Sequence, residues 1–274
     1  MVNIVSMSGG KDSTALWLWS LRTGLDPVAV YVDTGWEWHG HHQHLDMLEA
    51  RIGKIHRIPP TETFEDATKR KGTFPSRVRK WCTEELKLKP FRAWLDRFRD
   101  DTGDDVQVLL GVRREESSKR ADPVLTPERE KSEFYDCDVW RPILDWTVQS
   151  VIAEHRRSAI PMHPLYHHGA ERVGCFPCVN ASKAELEIVG RLAPERIDLI
   201  RSVESEIGQT MFTRDRRTEK RKLGDDGPSV VPIGIDEVMA WARTDRGGKQ
   251  ISLVRMPTGC ARWGVCEKPT ETNP

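Results

Sequence analysis

Apolar residues fall into two rhythms along the first half of this chain. Short runs rich in β-branched residues at Val2–Ser6, Pro27–Val32, Lys54–Ile58 and Val106–Val112 read as buried strands. Between them the apolar positions take helical spacing, from about Ser13 to Thr23, through Gln43–Arg51, and near Thr83–Phe98. The stretch from Pro59-Pro60 to Arg79 is mostly polar and reads as loop. Alternation of this kind predicts an α/β fold, a parallel doubly wound sheet with helices on both faces. Such sheets bind ligands at the carboxyl ends of the strands, at the switch point. Gly9, Asp33 and Gly111 all fall at strand ends and are expected to converge there.

Beyond about residue 185 the pattern turns helical. Lys183–Leu192 and Pro194–Ile207 read as helices, the second with proline in its first turn, and Ile235–Arg243 as a short third. Thr213 to Pro232 reads as a charged loop. It holds the basic run Arg214, Arg216, Arg217, Lys220, Arg221 and Lys222, a candidate for tracking a phosphate backbone or a solvated loop balanced by Asp225 and Asp226. The chain therefore divides into an α/β domain over 1–182 and a helical, cysteine-bearing C-terminal region over 183–274.

Composition narrows the classes. Forty-two basic and 42 acidic side chains cancel across 274 residues, so no global charge draws in nucleic acid; such a contact needs a local patch. No apolar run approaches the ~20 residues of a membrane span, and the N-terminus lacks the layout of a signal peptide. A soluble, cytoplasmic protein with no membrane partner is expected. In that compartment six cysteines, at 82, 137, 175, 178, 260 and 266, point to metal ligation or redox chemistry rather than disulfides.

The densest chemistry lies in Ser6-Met-Ser-Gly-Gly-Lys-Asp-Ser-Thr14, between the first strand and the first helix. Loop amides and a helix N-terminus facing one point make an anion site. Gly9 and Gly10 allow close backbone approach, Ser8 and Ser13 offer hydroxyls, Lys11 a point charge, and Asp12 a carboxylate able to hold Mg2+. The spacing is not that of kinase-type P-loops. A strand–helix turn with two glycines that serve only packing is the alternative.

The six residues Ser8-Gly-Gly-Lys-Asp-Ser13 resemble the phosphate loop (PP-loop) of the ATP pyrophosphatases, which cleave ATP between its α and β phosphates. Further motifs occur in order: Asp33-Thr34-Gly35, Arg79-Lys-Trp-Cys-Thr83, Gly111-Val-Arg-Arg-Glu-Glu-Ser-Ser-Lys-Arg120, Arg141-Pro-Ile-Leu-Asp-Trp-Thr147, and Ile160 through the Cys175-Phe-Pro-Cys178 pair. Together they resemble the phosphoadenosine phosphosulfate (PAPS) reductase family over roughly residues 2 to 205. The resemblance implies an adenine-nucleotide α-hydrolase-like sheet. It places Arg113, Arg114, Ser117 and Arg120 at the anionic end of the nucleotide or its target, where guanidinium forks pair with phosphate or sulfate; a solvated charged helix face is the alternative. It also puts Asp33, Thr34 and Gly35 beside adenosine and Gly111 in the nucleotide site. Lys11, Asp12, Arg113 and Arg120 become the catalytic candidates. Asp145 reads as the start of the helix over Val148–Arg156.

Two departures from the reductases stand out. Their phosphate loop has lost the Lys-Asp pair, whereas Lys11 and Asp12 are retained here. Their Glu-Cys-Gly-Leu-His tail is absent. The retained pair makes sense where a triphosphate and its magnesium are bound and pyrophosphate leaves. Cys82 matches a cluster cysteine of the family's iron–sulfur branch, although Trp81 replaces its usual neighbour. A [4Fe–4S] cluster on Cys82, Cys175, Cys178 and Cys266, with Cys260 as the other choice for the fourth ligand, is therefore expected. Structural Zn2+ on the same thiols and a redox disulfide at 175/178 are the rivals. Cys137 reads as a buried structural thiol.

Among the histidines, His39 and His42, or His41 and His44, are spaced to share a metal, but a surface or substrate-lining role suits them better. His163, His167 and His168 flank Pro-Leu-Tyr166, where one could serve as acid or base. The combined expectation is an enzyme using ATP and Mg2+ to adenylate an acceptor and pass sulfur to it. The acceptor would be a nucleic acid or a protein, and a homodimer is the assembly considered. A sulfonucleotide reductase using Cys260 or Cys266 is the second reading. A nucleotide-binding protein with structural zinc and no turnover is the third.

Overall fold

In the computed structural model, which describes residues 1–76, 78–116, 125–215, 227–244 and 263, the β-branched runs pair as one sheet. Its strands are β1 (Val2–Met7), β2 (Val28–Val32), β3 (Ile55–Ile58), β4 (Val106–Leu110), β5 (Glu130–Ser132) and β6 (Cys137–Trp140), in the order β3-β2-β1-β4-β6-β5. Every neighbouring pair is parallel except β5 on β6, an antiparallel edge. Ile4 lies opposite both Val28 and Val108, so β1 holds the centre. Because β1 neighbours both β2 and β4, the chain reverses direction across the sheet between β1 and β4, which makes that crevice the switch point.

Period-two alternation sends side chains to two cores. Val5, Met7, Tyr31 and Leu109 meet Leu16 and Trp17 of α1 (Lys11–Arg22) and Leu45 and Leu48 of α2 (His41–Arg51). Ile4, Val30 and Val108 on the opposite face meet Phe91 and Leu95 of α5 (Lys89–Thr102). The doubly wound α/β architecture expected from the sequence is the one observed. Helix α6 (Val148–Arg157) staples α1 from outside the sheet: Glu154 takes Arg22 through two contacts of 3.0 and 3.1 Å at one end, and His155 reaches the Lys11 carbonyl, 2.9 Å, at the other.

Three local expectations need correction. The polar stretch before Arg79 contains a helix, α3 (Phe64–Lys71), capped by the Thr63 hydroxyl accepting from the Asp66 amide and closed by Gly72 at φ +61°. Its apolar face is only Phe64 and Ala67, too small to register as a helical pattern. Asp145 does not start α6; Thr147 does, accepting from the Ser150 amide, while Asp145 pairs with Arg114 at 2.6 Å. The ends of the charged loop form an antiparallel pair, β7 (Phe212–Asp215) with β8 (Val230–Ile233); the basic residues 216–222 lie outside the described residues.

The helix expected near Thr83 begins at Trp81 as a short turn, α4 (Trp81–Thr83), widens to a π-helical turn over Glu84–Leu88 and continues as α5. Pro90 has no N–H to return to the preceding turn, a recognised reason for the ladder to break there. The helices α7 (Lys183–Leu192), α8 (Pro194–Ile207) and α9 (Ile235–Ala242) bury Val189, Ile200 and Met239 in a third core shared with Trp36, Phe64 and Trp81. The region after residue 182 is thus built onto the α/β unit through common apolar packing. Among the described residues no helix is long and apolar enough to cross a membrane.

Candidate functional site

The loop between β1 and α1 is tied into a single shape by its own hydroxyls. The Ser8 amide donates to Ser13 Oγ (3.1 Å), the Ser8 and Ser13 hydroxyls lie 3.0 Å apart, and Ser13 Oγ donates to the Gly10 carbonyl (3.2 Å). Gly9 stands at φ +67°, and a Cβ there would lie 2.7 Å from His41 Cε1, so only glycine fits. Among the described residues no side chain caps α1, which leaves its positive end to an anion. Gly111 ends β4 directly on this helix start: a Cβ would sit 2.9 Å from Ser13 Cα. Its place in the site comes from close packing rather than from an unusual φ.

Charge gathers beside the loop. Asp12 Oδ2 pairs with Lys11 Nζ at 2.9 Å and Oδ1 with Arg113 Nε at 2.5 Å, all three residues being at least nine-tenths buried. Arg113 is braced further by Glu115 (2.8 Å) and the Trp146 carbonyl (3.2 Å). These groups line a pocket of about 1300 Å³ at the switch point, together with Ser8, Lys80, Arg172 and Trp263. Its volume suits a nucleotide with its phosphates. Arg114 is not part of that lining; its guanidinium lies on Asp145 and the Leu125 carbonyl. Ser117 and Arg120 lie outside the described residues.

Beneath the loop is a layer of histidines that the sequence did not reveal as such. His41 and His44 are buried rather than surface-exposed, and they join His163, also buried. His163 Nδ1 accepts the Leu165 amide (3.1 Å), so its proton sits on Nε2 and is donated to His41 Nδ1 (3.1 Å). That leaves His41 protonated at Nε2, a buried atom with no hydrogen-bond partner among the described residues. His44 hydrogen-bonds the backbone of Gly9, His155 contacts the Lys11 carbonyl, and the Tyr166 hydroxyl accepts the Lys11 amide at 3.1 Å. Burial pushes the pKa of His41 and of His44 down to about 4 and that of His163 to about 2, each helped by its neighbours. His39 and His42 remain exposed, and His42 lies 3.2 Å from Asp33.

Asp33, Thr34 and Gly35 form the turn after β2. The Asp33 carboxylate accepts the Gly35 amide (2.8 Å), burial raising its pKa, and Thr34 donates its hydroxyl to Glu37 (2.6 Å). A smaller pocket of about 130 Å³ lies at the ends of β1 and β2, lined by Ser6, Ser8, Tyr31, Glu37, His41 and Lys87.

Cys82, Cys175 and Cys178 all line one pocket of about 340 Å³. Lys87 lies near Cys175 and Arg172 near Cys178, each close enough for its charge to act on the sulfur, and the Asn180 amide donates to Cys178 (3.5 Å). Burial pushes the Cys82 and Cys175 thiols up. A backbone donor on Cys178 and two cations in the lining suit a thiolate-bound group. Among the described residues no three His, Cys, Asp or Glu side chains surround one point as ligands of a single ion would. Cys260 and Cys266 lie outside the described residues. Cys137 is a buried thiol on β6, as read from the sequence.

Residues 2–181 match the phosphoadenosine phosphosulfate reductase domain family. An uncharacterized 37.8 kDa protein of Escherichia phage 186 is 32% identical, with 97% of each chain covered. The adenosine 5'-phosphosulfate reductase of Rhizobium meliloti is 33% identical over 40% of this chain and 38% of its own length. A solved phosphoadenylyl-sulfate reductase from Candida auris, as its phosphate complex, is similar with TM-score 0.48 and 17% identity, covering 64% of this chain and 82% of that one. On the match that runs from β1 through the thiol pocket, the chain belongs to the phosphoadenosine phosphosulfate reductase domain family.

Proposed function

We propose that this protein uses ATP to adenylate an oxygen of an acceptor, a nucleic acid or a protein, and directs sulfur to the activated position. The carrying observation is that the Lys11–Asp12 phosphate loop and the three-cysteine pocket adjoin, sharing Lys80, Arg172, Val173, Asn180 and Glu185 in their walls. In the first step the acceptor oxygen bonds to the α phosphorus and the α–β anhydride breaks, its electron pair leaving with pyrophosphate. Lys11, Arg113 and the amides at the start of α1 face the oxygens on which that charge develops. Asp12, whose two oxygens hold Lys11 and Arg113, would hold Mg2+, which would neutralise charge on the phosphates. In the second step a sulfide-level donor forms the new bond to the acceptor as its bond to the adenylate oxygen breaks, and AMP leaves.

Cys82, Cys175 and Cys178, with Cys266 or Cys260, would hold a [4Fe–4S] cluster, or zinc in the alternative, and a cluster supplies electrons or a site for sulfur. Lys87 and Arg172 would balance its thiolate charge. A second reading, a sulfonucleotide reductase, is favoured by the similarity to an adenosine 5'-phosphosulfate reductase. The two are separated by one assay. ATP labelled at the γ phosphate should yield labelled pyrophosphate when acceptor and Mg2+ are both present. Sulfite release from a sulfonucleotide and a thiol reductant, with ATP merely competing, would instead establish the reductase.

A further inference from the structure

Lys11 is held on three sides. Its ammonium lies 2.9 Å from Asp12 Oδ2, 5.4 Å from the centroid of the Tyr166 ring and 5.0 Å from that of Trp263. The two rings meet edge to face, centroids 5.3 Å apart at 68°. Trp263 packs on the small apolar cluster of Ile152, Met162 and Tyr166 and lines the same pocket as Ser8, Lys11 and Arg113. An aromatic face within 6 Å of an ammonium attracts it through the ring quadrupole. A residue more than 250 positions from the loop thus supplies a wall of the phosphate pocket.

We propose that Trp263 is a positioning residue of the phosphate site: its indole face fixes the Lys11 ammonium where a polyphosphate enters. The inference rests on the reading that this loop binds nucleotide polyphosphate. A lysine stem is flexible and loses considerable rotamer freedom when it binds a phosphate. An ammonium already seated between Asp12 and two rings has given up that freedom beforehand, which is preorganisation. The ring need not touch the reacting atoms to act in this way. A packing role alone would be met equally by an apolar side chain without a π face, and this difference separates the two.

The test titrates Mg-ATP and Mg-pyrophosphate by calorimetry into wild type, W263F, W263L, K11A and the K11A/W263L double variant. Trp263→Leu should weaken binding about 2- to 30-fold, the range of a cation–π contact. Trp263→Phe should stay near wild type, and Trp263→Leu should add nothing in the Lys11→Ala background. In the absence of ligand, an amine-acylating reagent followed by peptide mapping should label Lys11 faster in W263L than in wild type or W263F. Wild-type affinity in W263L, or equal losses in W263L and W263F, overturns the inference while leaving the nucleotide reading intact. Failure of wild type to bind either ligand overturns both.

Discussion

Neutral imidazoles are the condition on which the phosphate loop keeps its shape. His41, His44 and His163 lie under it with pKa values lowered by burial, the first two to about 4. Since their unfolded values are about 6.5, the unfolded chain binds more protons between pH 6.5 and 4. Stability therefore rises with pH across that window and is lost as pH falls through it. The slope is up to ~1.4 kcal/mol per pH unit for each histidine. Thermal melts from pH 7 to 4 should show a falling Tm, and H44N should flatten the decline; parallel pH profiles for the two proteins would remove the argument. The spacing of His41 and His44 was visible in the sequence, but their burial was not. It depends on His163, 122 residues away from its partner His41, and no local pattern encodes such a contact. Lys11 and Asp12 were legible from the glycine-rich loop that carries them, and Arg113 only through the family motif that contains it, signals that survive without knowledge of packing.

At the level of elements, the site is a junction of helix α1 with β1, β4 and α6. Gly111 shows how tight that junction is, since a single methyl would press on Ser13 Cα and N at 2.9 and 3.0 Å, backbone atoms that cannot swing aside. Gly111→Ala should destabilise the fold by ~1–3 kcal/mol, the usual cost of overpacking. It should also weaken pyrophosphate binding, because the start of α1 must shift. Urea unfolding and calorimetry report the two effects, and an unchanged midpoint with unchanged affinity would contradict the packing account. Strands and the longer helices could be read from periodicity because each buries an extended apolar face. Helix α3 escaped because caps at Thr63 and Gly72, rather than apolar spacing, define it. Asp145 misled for a related reason: an acidic residue before a helix reads as a cap, and only the fold brings Arg114 to it.

Across the whole molecule, two pockets meet over a common wall, and the third core holds that wall in place. Cys175, between Trp36 and the C-terminal helices, and Cys82, in the turn that leads to α5, reach the same cavity from opposite ends of the α/β unit. The C-x-x-C spacing made two of these thiols recognisable, whereas the arrival of Lys87 depends on the π-helical turn and had no sequence signature. The cavity brings three thiols near two cations, Lys87 and Arg172, within an otherwise largely apolar wall, a setting in which a sulfur-ligated group would be shielded from water. Protein prepared without oxygen should accordingly be brown, with about four irons per chain if the cluster is of the [4Fe–4S] type. Serine at Cys82, Cys175 or Cys178 should remove the colour, while serine at Cys137, which lies in the opposite core under α5, should not. Lys87→Met should leave iron content in place but shift the reduction potential of the bound group to a lower value, since removing a nearby cation favours its oxidised form. Colourless protein carrying one zinc per chain would assign the thiols to a structural metal instead, and colour that persists in all three serine variants would place the iron elsewhere.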